Sequence, residues 1–174
     1  MRRIDLARLT FICSALLLMA PLSQASVAPA AQFDFLIGEH DVTLHAWTGD
    51  GWTPARPQNA RWNGRRGLED GIIYDEWFDP QGGNGVNVRM YDPDEKIWKM
   101  MWISTAAYQV QDLRAQMKDG VLTMWQIYPD RVGWRAEFEI LNACQWARVD
   151  FQEDEAGEAP PRYRLVATRR GCSE

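Results

Sequence analysis

From Phe33 onward the apolar positions recur at every second residue over short runs, and no stretch repeats them at helical spacing. His40–Trp47 alternates, with Val42, Leu44 and Ala46 on one face. Asn59–Gly67 is polar but extended. Gly71–Phe78, Val86–Tyr91, Ile97–Ser104, Tyr108–Met117, Val121–Tyr128 and Val132–Leu141 are rich in β-branched and aromatic residues. Residues 145–153 and 162–170 complete the series. Between the runs stand turn formers: Gln81-Gly82-Gly83-Asn84-Gly85, Asp92-Pro93-Asp94-Glu95-Lys96, Lys118-Asp119-Gly120, Pro129-Asp130-Arg131 and the polar stretch Asp154–Pro161. The pattern predicts an all-β fold, an antiparallel up-and-down meander of about nine or ten strands. Such a meander closes as a barrel or folds as a sandwich; closure is favoured because it removes exposed edges. Tyr91-Asp92-Pro93…Trp98 resembles one element of a propeller blade, but it occurs once, which rejects a propeller.

The first residues break this pattern. Arg2 and Arg3 precede an apolar run densest over Leu9–Pro21, followed by Ser23-Gln24-Ala25 with small residues at the −3 and −1 positions. This is the layout of a secretory signal peptide spanning residues 1–25. The run is too short for the roughly 18–20 residues of a membrane span, so an uncleaved anchor is the weaker alternative. Residues 26–32 then read as a flexible N-terminal tether and 33–174 as one barrel domain. The expected location is outside the cytoplasm: periplasmic if the source is Gram-negative, otherwise secreted. No stable membrane span is expected after processing.

Export changes the reading of the cysteines. Cys13 falls inside the signal, leaving Cys144 and Cys172, and an even count in an oxidising compartment predicts a disulfide. A hairpin centred near Glu158 puts the two opposite each other. A bridge over this span contributes about 3.5 kcal/mol in the chain-entropy model.

Net charge is −5 over 174 residues, which argues against nucleic acid or an anionic membrane as the main partner. Nine tryptophans, all after residue 46, need burial or a ligand. They fill a core, or they line an aromatic cavity. Trp98, Met100 and Trp102 form one face of their strand. Hydrophobicity alone turns Val86, Val88 and Met90 inward beside them and leaves Arg89 outside. The opposite register puts Arg89 and Tyr91 among the tryptophans, where the guanidinium needs Asp75, Glu76 or an anionic ligand as partner.

Catalytic patterns are mostly missing. His40 and His45 fall on opposite faces of one strand, which opposes a shared metal site. No phosphate loop, nucleophile elbow or zinc motif is present, so neither a metal nor a cofactor is expected. His40 and Glu76 are the weak candidates for a base in an enzyme reading, for instance a cofactor-free isomerase, cyclase or dehydratase.

Phe33-Asp34-Phe35-Leu36-Ile37-Gly38-Glu39-His40-Asp41-Val42 resembles the opening of a bacterial lipocalin-like family of unknown function, of the DUF1579 type. Trp62-Asn63-Gly64-Arg65, Asp75-Glu76-Trp77, Arg89-x-Tyr91-Asp92-Pro93 and Trp98-x-x-x-Trp102-Ile103 are similar to its later strands. The resemblance implies a calycin-type barrel with a short opening segment capping one end. His40 stands where the family has a tryptophan, which implies a more polar floor. The resemblance supplies no activity; the tryptophan-rich, Arg-bearing hairpin in an exported barrel gives the expectation of a binding or carrier barrel for a small apolar or aromatic ligand, acidic in one version. Its cavity would be lined by Trp77, Trp98, Trp102 and Trp125, with Arg89 and Tyr91 at the ligand's polar end. The alternatives are a non-catalytic interaction or envelope protein with a packed barrel, and the enzyme. Oligomeric state is not legible.

Overall fold

The computed structural model describes residues 28–54 and 60–173. The expected signal peptide lies outside the described residues. Among those described, no helix is long and apolar enough to cross a membrane.

The strands are β1 (Gly38–Trp47), β2 (Trp52–Pro54), β3 (Ala60–Gly67), β4 (Ile72–Phe78), β5 (Gly85–Asp92), β6 (Ile97–Ser104), β7 (Gln109–Lys118), β8 (Val121–Tyr128), β9 (Trp134–Ile140), β10 (Gln145–Gln152) and β11 (Pro161–Arg169). Each pairs antiparallel with its neighbour, and β11 returns to β1 to close the sheet. Ten strands form the barrel. The short β2 pairs only with the far end of β1, from His45↔Pro54 to Trp47↔Trp52. The seam runs from His40↔Arg169 to Ala46↔Tyr163.

One end of the barrel is plugged by the chain's own opening segment. Two 3₁₀ turns, Pro29–Ala31 and Asp34–Leu36, drop Phe33 and Leu36 into full burial. The Phe33 ring meets Trp98 edge-on at 5.0 Å and Phe138 at 5.3 Å. Phe35 packs on Trp146 at 5.4 Å. The cross-strand partners of Trp98 and Trp146 are small, Ala115 and Ala167, both with no exposed surface, which leaves room for these rings. Gln32, read as tether, belongs to this plug: Trp98 Nε1 donates to its side-chain oxygen at 3.2 Å. Gly64 is the seat, because a Cβ there would run into the Leu36 carbonyl oxygen.

The β5–β6 hairpin takes the register that pure hydrophobicity disfavours. Asp92 pairs with Ile97, leaving residues 93–96 as the turn, and Lys96 takes the left-handed conformation at φ 57°. Arg89 then lies opposite Met100, Tyr91 opposite Trp98 and Asn87 opposite Trp102. Arg89 and Asn87 are buried, while Met90 faces solvent and Val86 and Val88 are only half-buried. The valines therefore lie on the outer face, not inside.

The last hairpin corrects the expected disulfide geometry. Gln145 pairs with Thr168, so Arg169, not Cys172, lies opposite Cys144 and donates its backbone N–H to the Cys144 carbonyl at 2.8 Å. A turn through Gly171, at φ 70°, then carries the chain back. Cys172 reaches Cys144 at a Cα separation of 5.7 Å, and the disulfide joins them.

Candidate functional site

The half of the barrel away from the plug is hollow. A cavity of about 550 Å³ opens between Trp62, Trp77, Trp102, Trp134 and the facing residues of β10 and β11. Tyr163, 56% exposed, stands at its mouth. The volume is within the roughly 300–1,000 Å³ typical of small-molecule sites. Trp102 lies across Gly85: a Cβ at Gly85 would sit 2.5 Å from the indole, so glycine there fixes where the ring rests. Trp62 and Trp77 meet edge-on at 5.9 Å. The wall residues Trp62, Trp134 and Asn87 also carry buried polar atoms, Nε1, Nε1 and Oδ1, that have no protein partner.

Below the cavity lies the buried ion pair Arg89–Asp75. Arg89 Nε donates to Asp75 Oδ2 at 2.7 Å and Nη2 to Oδ1 at 3.3 Å. Nη1 donates to the Met100 sulfur at 3.2 Å, and the guanidinium lies 4.7 Å from the centre of the Phe33 ring. Both residues are at most 1% exposed. Burial pushes the Asp75 carboxyl above its ordinary value of 3.8, against the pull of Arg89 and of Arg148. Arg89 is inside, but its fork is taken by Asp75 and it does not line the cavity. It ties the plug to the strands.

The remaining sequence candidates separate in space. Trp77 and Trp102 line the cavity. Trp98 and Tyr91, 5.5 Å apart, belong to the plugged half. Trp125 is on the outer face, under the Lys118 ammonium at 4.7 Å, because the inward positions of β8 are Leu122, Met124 and Gln126. Glu76 is exposed on the outside and accepts from the Tyr74 hydroxyl at 3.1 Å, so it is no base for chemistry in the cavity.

His40 is 1% exposed at the plugged end, against Trp146. Burial, and then the positive charge of Arg169, hold its imidazole below the ordinary 6.5. It lines a separate, smaller cavity of about 230 Å³, away from the tryptophan-lined one. Among the described residues no group of three His, Cys, Asp or Glu gathers in metal-binding fashion.

Sequence reasoning missed three charged cavity residues: Arg131, Arg148 and Asp150. Arg148 and Asp150 are two apart on β10 and so share a face. Arg148 Nε donates to Asp150 Oδ1 at 2.8 Å and Nη2 to Oδ2 at 3.3 Å. The alternation in 145–153 was a usable signal, since it puts Trp146, Arg148 and Asp150 on one face.

A closed antiparallel barrel with one end plugged and a cavity behind an open mouth is a lipocalin-like barrel, and that is the class of this protein. The assignment rests on the closed strand order itself. No family model matches the chain, and no curated protein matches it. Among solved structures, an S-type phycobiliprotein lyase from Guillardia theta is similar with a TM-score of 0.49 and 14% identity, over 82% of this chain and 92% of that one.

Proposed function

We propose that this protein is an exported, non-catalytic barrel that binds a small, flat, largely apolar molecule among Trp62, Trp77, Trp102 and Trp134. One observation carries the reading: half of the barrel is filled by aromatic packing, while the other half holds an open cavity of about 550 Å³ walled by indoles. A protein selected only for a packed core has no need of that space, since interiors otherwise close to crystal-like density. The export signal at residues 1–25 supports a role in the periplasm or outside the cell. The motifs from Phe33 to Ile103 support membership of the DUF1579-type family.

The test is a titration of the oxidised protein with naphthalene-based and fatty-acid probes. It is read by tryptophan emission and by native mass spectrometry. Saturable one-to-one binding that weakens in Trp102→Ala supports the reading. No binding of any probe, with the cavity intact in a crystal, overturns it.

An interaction role without a ligand has a different observation behind it. Met101, Ile103 and Val110 are exposed side by side on β6 and β7, next to the outward valines of β5. An empty cavity in the titration would leave that outer face as the working surface.

A further inference from the structure

We propose that the cavity is selective for an organic monoanion, an aromatic carboxylate, and that Arg131 at the mouth is the residue that selects it. This deepens the binding role proposed above and rests on it.

The charge around the cavity is unbalanced. Among the described residues three charged ones line it: Arg131, Arg148 and Asp150. Arg148 is closed onto Asp150. The deeper pair Arg89–Asp75 is closed as well. That leaves Arg131 as the one lining charge with no ion-pair partner among the described residues, in a protein whose net charge is −5. Among the described residues no carboxylate forms an ion pair with Arg131. Glu153, just after β10, packs against Gly133 in the turn that carries Arg131.

Arg131 is also held in place. It sits in the turn between β8 and β9. Gln152 of β10 braces this turn twice, accepting from Arg131 Nε at 3.3 Å and donating from Nε2 to the Val132 carbonyl at 2.9 Å. The guanidinium lies over the Trp134 ring at 5.2 Å, and Trp134 is itself part of the cavity wall. A flat ring that slides in beside Trp134 and Trp102 brings a carboxylate at its outer end to this fork. A guanidinium fixed on an aromatic face loses little freedom on pairing with a planar carboxylate. Arg148 lies deeper than Asp150, one step further along β10 from the mouth, so its field also favours an anion while Asp150 opposes one.

The test compares 2-naphthoate with 2-naphthamide, which has the same shape without the charge. Binding is measured calorimetrically at low and at moderate salt. The acid is expected to bind about tenfold or more tightly, with a preference that shrinks as salt rises. Arg131 is exposed, so Arg131→Met folds, and it should bring the ratio of acid to amide affinity close to one. Asp150→Asn, which removes the opposing charge, should tighten the acid alone. Equal binding of acid and amide by the unaltered protein, or an unchanged ratio in Arg131→Met, overturns the anion selectivity while leaving the binding role standing. Failure of both compounds, and of every other probe, removes the binding role itself.

Discussion

Replacing Arg89 by Met should destabilise the fold by about 3–4 kcal/mol at neutral pH, with no direct effect on the cavity. Methionine keeps most of the stem's packing, so the loss is mainly electrostatic. Asp75 has no exposed surface and would be left buried without its partner; breaking such a pair from one side costs about 3–5 kcal/mol. The structure also sets a ceiling. Asp75 can escape its charge by taking up a proton, which at pH 7 costs at most about 1.36 kcal/mol for each of the 3.2 units above its ordinary 3.8, or about 4.4 kcal/mol. The sign follows. The folded variant holds the proton while the unfolded chain releases it above pH 3.8, so the penalty grows with pH. At pH 5 the ceiling falls to about 1.6 kcal/mol. Urea unfolding followed by tryptophan emission at both pH values measures this directly. The double variant Arg89→Met/Asp75→Leu should recover most of the loss, because neither charge is then stranded. A loss below about 1 kcal/mol at pH 7 refutes the reasoning. So does a loss that does not shrink at pH 5, or a double variant no better than the single one.

Two further expectations come from the plugged end. Gly64→Ala should cost about 2–3 kcal/mol, since the new methyl runs into the Leu36 backbone and the plug must shift; an unfolding free energy in urea within about 0.5 kcal/mol of the parent would contradict this. His40 titrates below 6.5 in the fold, chiefly through burial and then through Arg169. Its contribution is therefore complete above 6.5 and lost as pH falls from there toward the folded value. His40→Gln should flatten stability against pH in that window, leaving the slope of His45, which is shifted the same way; an unchanged slope would show that His40 is not the group responsible.

The strands were legible because turn formers punctuate them and because neighbours in sequence are neighbours in the sheet. The inside of the barrel was less so. At β5 the outcome turned on one residue: a turn of 92–96 would set Val88 opposite Met100, whereas the observed turn of 93–96 sets Arg89 there. Hydrophobicity points the wrong way because Arg89 is compensated by Asp75, fourteen residues earlier on a different strand. The final hairpin failed similarly: the sequence marks its loop but not the three-residue offset that the turn at Gly171 makes good. The mouth was missed because Arg131 sits in what reads only as a turn. Its meaning appears when Gln152 and Trp134 are brought beside it by the fold.

The closing seam between β1 and β11 has a consequence for how the chain must fold. Every other pairing in the barrel joins consecutive strands, apart from β1 with β3 around the short β2 arm. The seam alone joins distant ones, with Asp41 accepting from Arg170 across 129 positions. Loop-closure entropy makes such long-range pairing slow relative to local hairpins. The meander can thus form from its start while β11 is still absent, and in that interval it carries two raw edges, β1 and β10. Those edges are ready templates for another chain. The disulfide between Cys144 and Cys172 lies at the end of β11 beside this joint. Oxidation after closure would act as a latch on the last strand to arrive, and a chain cut before residue 161 would keep both edges open for good.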